Sequence, residues 1–230
     1  MSLFYSKMKI IFAEARSREK ISKETISKIS FALPKRIGLF SSVQYLGQLK
    51  NIEKELKDKG DKIIIGKGLL SCYPGQILGC DISSVKKIKD EVDAFLIIGS
   101  RFHAIFTALK TSKPVFFYSE GKTEKISDIE IKKIKAAIKT AKIKLYSNNV
   151  IGILVSIKPG QEKLKLAEKI KEKLETLGKK GVIFLADNIS ISEFENFPIN
   201  IYINTSCPTL MFDSNKIIDL SEIPELAKDL

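Results

Sequence analysis

The chain is poor in the residues on which several protein classes depend. Its 230 residues contain three cysteines, an odd and small number that argues against a disulfide framework in a cytosolic chain of this size. His103 is the only histidine, so a tetrahedral Cys/His zinc site would need every cysteine as well. Because Cys72 and Cys80 also have a spacing that matches no common zinc pattern, we do not expect a zinc site.

Long apolar runs are missing too. No uninterrupted run approaches the roughly 18 residues that a membrane span needs, and residues 1–7 are too polar and too short for a signal peptide. We therefore predict a cytoplasmic protein with no membrane partner.

Basic residues, in contrast, are abundant, and the formal net charge is +12. The excess is almost all lysine, whereas readers of nucleic-acid bases depend on the planar fork of arginine. The lysines alternate with Glu and Asp along predicted helices such as 126–144, as on solvated faces. We expect no specific nucleic-acid partner, although the charge also suits an acidic or ribosome-associated protein partner.

Short apolar runs alternate with segments of helical spacing along the chain. Predicted strands lie at residues 35–41, 62–65, 94–99, 114–119, 150–157, 181–186 and 199–204. This alternation implies parallel sheets. The predicted fold class is α/β, with two tandem three-layer αβα modules and mostly parallel sheets.

The predicted domains are residues 35–147 and 148–230, and residues 1–34 add a strand near 9–13 and a helix. Asn148-Asn149 marks the boundary. A final helix is expected from Ser221, which we predict to be its N-cap.

Two cysteines follow predicted strands at the point where a loop begins. Cys80 comes after the run 62–65, and Cys207 after the run 199–203. Ligands bind at this carboxyl edge in open α/β sheets, so the two thiols could face one crevice. The alternative is that each cysteine is a small buried hydrophobe, but the adjacent proline turns place them on loops. Thiolates with few other ligands suit an iron–sulfur cluster.

Two further segments carry candidate chemistry. Residues 158–161 (Lys-Pro-Gly-Gln) lie between a strand and a helix, where an anion could bind, although a plain turn explains them equally well. Residues 100–103, ending in His103, form a predicted loop after another strand. A lone histidine is more often structural than catalytic. No paired carboxylates or nucleophile elbow indicate hydrolysis.

Four segments in order resemble one known family. Residues 74–80 (PGQILGC) closely resemble the PGQ-x-LGC segment of the diphthamide-synthesis family, the 2-(3-amino-3-carboxypropyl)histidine synthases. Residues 99–103 (GSRFH) are similar to its G-x-x-FH loop, 155–161 (VSIKPGQ) to its VSIK-x-GQ segment, and 206–208 (SCP) to its A-CP motif.

The resemblance implies a noncanonical S-adenosylmethionine enzyme with a 4Fe-4S cluster. In that family three similar domains each supply one cluster cysteine. The reduced cluster cleaves a carbon–sulfur bond of S-adenosyl-L-methionine, and the 3-amino-3-carboxypropyl group passes to a histidine of translation elongation factor two. This is the first step of diphthamide formation.

The resemblance also assigns roles to residues of this chain. Cys80 and Cys207 would be the second- and third-domain metal ligands, and His103 and Arg101 would border the substrate as catalytic residues. Five residues would bind the cofactor: Gln76, Ser156, Lys158, Gly160 and Gln161.

The chain departs from the family in three respects. It begins near the closing strand of the family's first domain, so residues 1–34 read as a remnant and the first cluster cysteine is missing. Thr209 stands where the family has arginine. Cys72 is an extra thiol and a candidate replacement ligand.

These departures lead us to expect a subunit that needs a partner chain to supply the third cysteine, or a homodimer. The alternative is a noncatalytic scaffold that binds the elongation factor or a catalytic paralogue.

Overall fold

A computed structural model describes residues 11, 13–194 and 196–227, so most of the strand predicted at 9–13 lies outside the described residues. The chain divides into two compact units between Lys132 and Lys133. We refer to residues 13–132 as the N-terminal unit and to residues 133–227 as the C-terminal unit. No helix among the described residues combines the length and apolar character that crossing a bilayer requires.

The N-terminal unit is built on a five-stranded sheet with the order β2-β1-β3-β4-β5. Its elements are α1 (Lys23–Ala32), β1 (Arg36–Ser41), α2 (Leu49–Lys57), β2 (Lys62–Ile64), α3 (Ser83–Ile88), β3 (Ala94–Ile98), α4 (Arg101–Thr111), β4 (Val115–Ser119) and β5 (Lys122–Lys125). The strands β1 to β4 are parallel, and β5 is antiparallel to β4.

The C-terminal unit is built on a parallel four-stranded sheet with the order β7-β6-β8-β9. Helix α5 (Asp128–Ser147) leads into it. The other elements are β6 (Val150–Ser156), α6 (Leu164–Thr176), β7 (Lys180–Ala186), β8 (Tyr202–Asn204), β9 (Ile217–Asp219) and α7 (Pro224–Ala227). The predicted α/β class with two mostly parallel sheets is confirmed.

Both cores follow from the alternation of side chains along strands. In β6, Ile151, Ile153 and Val155 pack against α5, α6 and α7. Leu154 points to the opposite face, where it joins Phe194 and Tyr202. Strand β3 is buried at every position, as its continuous apolar run predicts for a strand covered on both faces.

The segment before β1 belongs to the core of the N-terminal unit. Ile26 and Ile29 of α1 are buried against the first sheet. The Glu19 carboxylate accepts hydrogen bonds from the hydroxyls of Tyr45 at 3.2 Å and Tyr118 at 3.0 Å. Residues 13–34 are therefore fixed to this unit by both apolar and polar contacts.

Two strands and one helix cap differ from the sequence-based expectations. All four residues of β5 are exposed, so β5 carries no hydrophobic pattern to reveal it, and β9 has only three residues. Ser221 does not cap a helix. Its N–H donates to Asp219 Oδ1 at 3.0 Å in a 3-10 turn, and α7 begins at Pro224, whose fixed φ suits a first helical position.

We predict that Gly38→Ala destabilises the N-terminal unit. A Cβ at Gly38 would lie 2.5 Å from Cδ1 of Phe95, a fully buried ring, and such overpacking costs about 1–3 kcal/mol. The measurement is chemical unfolding followed by circular dichroism. Gly47→Ala is the matched control because no atom lies within 4 Å of its added Cβ. Equal midpoints for the two variants would contradict the prediction.

Candidate functional site

A cavity of about 210 Å³ lies at the carboxyl ends of β6, β7 and β8 in the C-terminal unit. The strand order reverses around β6, and ligands bind at such a switch point in open α/β sheets. Four residues predicted from the sequence line this cavity: Ser156, Lys158, Gln161 and Cys207. They come from two loops that are separated by about 45 residues of chain, so the parallel sheet is what brings them together.

Ser156 connects three loops at this edge. Its backbone N–H donates to Ser206 Oγ at 2.7 Å, and its hydroxyl donates to the Asp187 carbonyl at 3.3 Å. The same hydroxyl accepts from the Lys158 N–H at 3.2 Å. Because the hydroxyl is already used in these hydrogen bonds, the role of Ser156 is to hold the loops that form the cavity wall.

Lys158 provides the positive charge at the cavity. Its ammonium donates to Asn188 Oδ1, which directs it toward the loop after β7. Gly160 has φ +80°, and the Gln161 N–H donates to the Lys158 carbonyl at 3.0 Å. These features close a tight turn that only glycine adopts without strain.

The turn does not lead directly into a helix, as the sequence suggested. Helix α6 begins at Leu164, three residues after Gln161. The Glu162 carboxylate accepts from the Leu164 N–H at 3.0 Å, so a side chain of the protein itself occupies the first turn of α6. The positive charge near the cavity comes from Lys158 rather than from the helix N-terminus.

The loop that carries Cys207 is held by a buried amide. Asn204 is fully buried, and its Nδ2 donates to the Cys207 carbonyl and to Asp219 Oδ2, both at 2.9 Å. Its Oδ1 accepts from the Ser206 N–H at 3.0 Å. All of these groups are fixed at hydrogen-bonding distance, so Asn204 sets the conformation of the loop.

Cys207 is half-buried and is not in a disulfide. Its Sγ lies 3.0 Å from Thr209 Oγ1, in the 3-10 helix Pro208–Phe212 that follows. Sequence reasoning missed Asn204 and Asp219. The signal available was an asparagine that ends an apolar strand, where a polar side chain needs a buried partner.

In the N-terminal unit, Cys80 lies on the loop between β2 and α3 and is exposed. The neighbouring Asp81 is buried and accepts from the N–H groups of Leu70 at 2.7 Å and Ser83 at 2.9 Å. Burial alone would raise the pKa of Asp81, but hydrogen bonds from the Ser83 hydroxyl and from backbone N–H groups outweigh it and lower the pKa. The carboxylate therefore stays ionised and anchors the loop.

Gln76 is a second anchor of the same loop. It is buried, and its Oε1 accepts from the N–H groups of Cys72 at 2.9 Å and Tyr73 at 3.2 Å. Segment 75–77 also runs beside the end of β1, where the backbone N–H of Ser41 donates to the Gly75 carbonyl at 2.8 Å. The side-chain amide oxygen of Gln76 thus binds the backbone of its own loop.

Arg101 and His103 lie in the first turn of α4 and not in a loop, because the helix begins three residues after β3 ends. A Cβ on Gly79 would lie 3.7 Å from His103 Nε2, so the ring is a neighbour of the Cys80 loop. Its Nδ1 is buried without a partner among the described residues. Burial lowers the pKa of His103, which favours the neutral ring at pH 7.

Arg101 is engaged elsewhere in the unit. Its two terminal nitrogens donate to the Glu130 carboxylate at 2.9 and 2.8 Å, and the guanidinium lies 5.8 Å from the centroid of Phe117. A bidentate pair of this kind fixes the planar group. The pair with Glu130 uses two of the five guanidinium N–H groups.

Each unit contributes one thiol of the predicted metal-ligand pair. Cys72, Cys80 and Cys207 are all free, and thiols at partly open loops fit the thiolate ligation of an iron–sulfur cluster. Within either unit, the described residues contain no group of three or more His, Cys, Asp and Glu side chains placed to hold a metal ion.

Comparison with known proteins gives consistent matches to one family. The family model that describes diphthamide synthesis proteins matches residues 2–217 of this chain. The chain is 30% identical to the 2-(3-amino-3-carboxypropyl)histidine synthase of Pyrococcus horikoshii over 208 residues, covering 88% of this chain and 59% of that protein. It is 30% identical to the synthase of the same name from Methanocaldococcus jannaschii over 207 residues, covering 81% of this chain and 59% of that one.

Solved structures show the same likeness. The crystal structure of Dph2 from Pyrococcus horikoshii with a 4Fe-4S cluster matches with a TM-score of 0.72 and 28% identity, covering 89% of this chain and 60% of that one. A second crystal structure of the same Dph2 matches equally well, with a TM-score of 0.72. The chain spans about three fifths of the length of these relatives.

We predict that Asn204→Ala loosens the Cys207 loop. The change leaves Asp219 and the Ser206 N–H without their buried partner, which costs about 1–3 kcal/mol. Chemical unfolding should show this loss, and alkylation of Cys207, followed by mass spectrometry, should become faster. Asn200→Ala is the control because Asn200 is exposed, and its effect should stay within about 0.5 kcal/mol. Unchanged alkylation in Asn204→Ala would refute the role of this residue.

Proposed function

Because the chain belongs to the diphthamide synthesis family, we propose that it takes part in transferring a 3-amino-3-carboxypropyl group to a histidine of translation elongation factor two. The chain spans 59% of its curated relatives, and in our proposal it acts as a part-length subunit. The single observation that carries the proposal is the cavity that gathers Ser156, Lys158, Gln161 and Cys207.

The metal part of the proposal assigns Cys80 and Cys207 as thiolate ligands of a 4Fe-4S cluster. Both thiols are free and neither is fully buried. When bound, such a cluster supplies the electron that cleaves a carbon–sulfur bond of S-adenosyl-L-methionine. A partner chain would supply the third cysteine, or a second copy of this chain would complete the site. Cys72 is the candidate replacement within the chain.

The cofactor part places S-adenosyl-L-methionine against the cavity wall. Lys158 would attract its carboxylate, and the turn through Gly160 and Gln161 would present backbone groups to it. The cavity volume of about 210 Å³ is smaller than the roughly 300–1,000 Å³ of pockets that enclose a whole ligand of this size. The cavity therefore suits one end of the molecule, and Gln76 would contribute by holding the Cys80 loop.

The substrate part assigns His103 and Arg101 to the border of the site. The neutral ring of His103 lies beside Gly79 and would contact a group that approaches the Cys80 loop. Arg101 would contact the substrate through the N–H groups that Glu130 does not use. We propose that the reaction takes place in the cytoplasm.

A noncatalytic scaffold is the second candidate function. It is favoured by Thr209, which brings a hydroxyl next to Cys207 Sγ where the family carries an arginine. It is also favoured by the Arg101–Glu130 pair, which leaves that guanidinium engaged. A scaffold would bind the elongation factor or a catalytic paralogue without iron.

We predict that anaerobic reconstitution with iron and sulfide loads a cluster that depends on Cys80 and Cys207. The preparation should include a candidate partner chain, and loading is read from optical absorption and from electron-spin resonance of the reduced sample. Cys80→Ala and Cys207→Ala should each lose most of the signal. Because the partner chain supplies the third ligand in this preparation, Cys72→Ala, a matched change on the same loop as Cys80, should keep it, and a loss of signal in Cys72→Ala would instead assign Cys72 as the third ligand. A full signal in both ligand variants would exclude the assignment.

We also predict that S-adenosyl-L-methionine raises the Tm of the chain through Lys158. A ligand at 100 times its Kd stabilises the folded state by about 2.7 kcal/mol. Lys158→Met should reduce the shift because it removes the charge that attracts the carboxylate. Lys165→Met removes an exposed lysine of α6 and should leave the shift intact. No shift in the wild-type chain, together with binding of the elongation factor in air, would favour the scaffold.

A further inference from the structure

Two residues of opposite charge line the cavity that contains Cys207 in the C-terminal unit. Lys158 comes from the turn after β6, and Asp187 directly follows the last residue of β7. The sequence motifs indicate only the lysine, because Asp187 lies outside all four family-like segments. The structure adds the carboxylate, since β6 and β7 are neighbouring parallel strands that end at the same edge of the sheet.

The two charges do not neutralise each other. The Lys158 ammonium donates to Asn188 Oδ1, an uncharged amide oxygen. The backbone carbonyl of Asp187 accepts from the Ser156 hydroxyl, but its carboxylate forms no hydrogen bond or ion pair in the part of the chain that the structure describes. Two opposite charges that line one cavity without pairing suit a ligand that carries both charges.

The backbone at Asp187 is fixed although the residue is exposed. The Ile157 N–H donates to the carbonyl of the preceding Ala186 at 3.0 Å. The Ser156 hydroxyl donates to the carbonyl of Asp187 itself at 3.3 Å. Both bonds tie the loop after β7 to the end of β6. The chain therefore holds the carboxylate near the cavity before a ligand arrives, which lowers the cost of ordering the site on binding.

The rest of the cavity lining limits what such a ligand can be. Ile189 and Leu210 are half-buried apolar residues of this lining, and they suit methylene groups. The volume of about 210 Å³ lies below the roughly 300–1,000 Å³ of pockets for a whole drug-sized ligand. The cavity therefore fits a short aliphatic chain that ends in one ammonium and one carboxylate.

We propose that this cavity binds the α-amino acid end of S-adenosyl-L-methionine, with Asp187 accepting hydrogen bonds from the α-ammonium and Lys158 donating to the carboxylate. This inference rests on the proposed function and adds Asp187 to its site. The methylene groups of this end contact Ile189 and Leu210, and the adenosine stays outside the cavity. The two charged residues thus hold the 3-amino-3-carboxypropyl group, which is the part of the ligand that is transferred.

Asp187 also makes the cavity selective. A simple anion is attracted by Lys158 but repelled by Asp187, and a simple cation meets the opposite combination. Only a ligand with both charges close together satisfies both residues. Because Asp187 is exposed, its contact with the ammonium contributes modestly, about fivefold in Kd.

Isothermal titration calorimetry of the full chain with three ligands tests these contacts. The ligands are S-adenosyl-L-methionine, its deaminated analogue without the α-ammonium, and its decarboxylated analogue without the carboxylate. Asp187→Asn should weaken binding of S-adenosyl-L-methionine about fivefold and leave binding of the deaminated analogue unchanged. Lys158→Met should weaken binding of S-adenosyl-L-methionine and leave binding of the decarboxylated analogue unchanged.

Glu168→Gln is the matched control, because it removes an exposed carboxylate of α6 in the same unit and should bind all three ligands like the wild type. Asp187→Asn would overturn the inference if it bound S-adenosyl-L-methionine normally. It would also do so if it weakened the deaminated analogue equally, since Asp187 would then act on the shape of the cavity. Either result leaves the cofactor part of the proposed function standing, whereas a wild-type chain that binds none of the three ligands would reject both.

Discussion

The structure depends on how the loops at the carboxyl ends of its parallel strands satisfy their backbone N–H groups. The backbone groups of such a loop have no neighbouring strand with which to form hydrogen bonds. A buried N–H group without a partner lowers the stability of the fold. In the C-terminal unit the amide of Asn204 meets this need around Cys207. In the N-terminal unit Gln76 and Asp81 do so on either side of Cys80. Each thiol is therefore presented by a loop with a fixed shape.

This constraint separates two kinds of site residue. Gln76 and Ser156 belong to segments that resemble the family motifs, yet their side chains form hydrogen bonds to backbone groups of this chain. Lys158, Cys80 and Cys207 keep a charge or a thiol at the surface or at the cavity. A motif match identifies both kinds equally, because the chemistry of the site needs the supporting residue as much as the reacting one.

The two units also differ in the outer strands of their sheets. The N-terminal sheet ends in a charged strand, β5, and in the short strand β2. The C-terminal sheet ends in β7, whose seven residues carry no charge after Lys180.

The sequence alone determined the fold class, because the apolar runs of β1, β3 and β6 are long enough to specify buried parallel strands. It also placed Cys80 and Cys207 on loops at strand ends, since proline turns follow or precede them. It could not reveal β5, whose residues are all exposed. The helical start at Arg101 was missed although Ser100 stands at the N-cap position, where its side chain makes no capping hydrogen bond. Only the tertiary structure brought Ser156, Lys158 and Cys207 to one cavity and gave Asn204 its role, because both depend on pairing between strands about fifty residues apart.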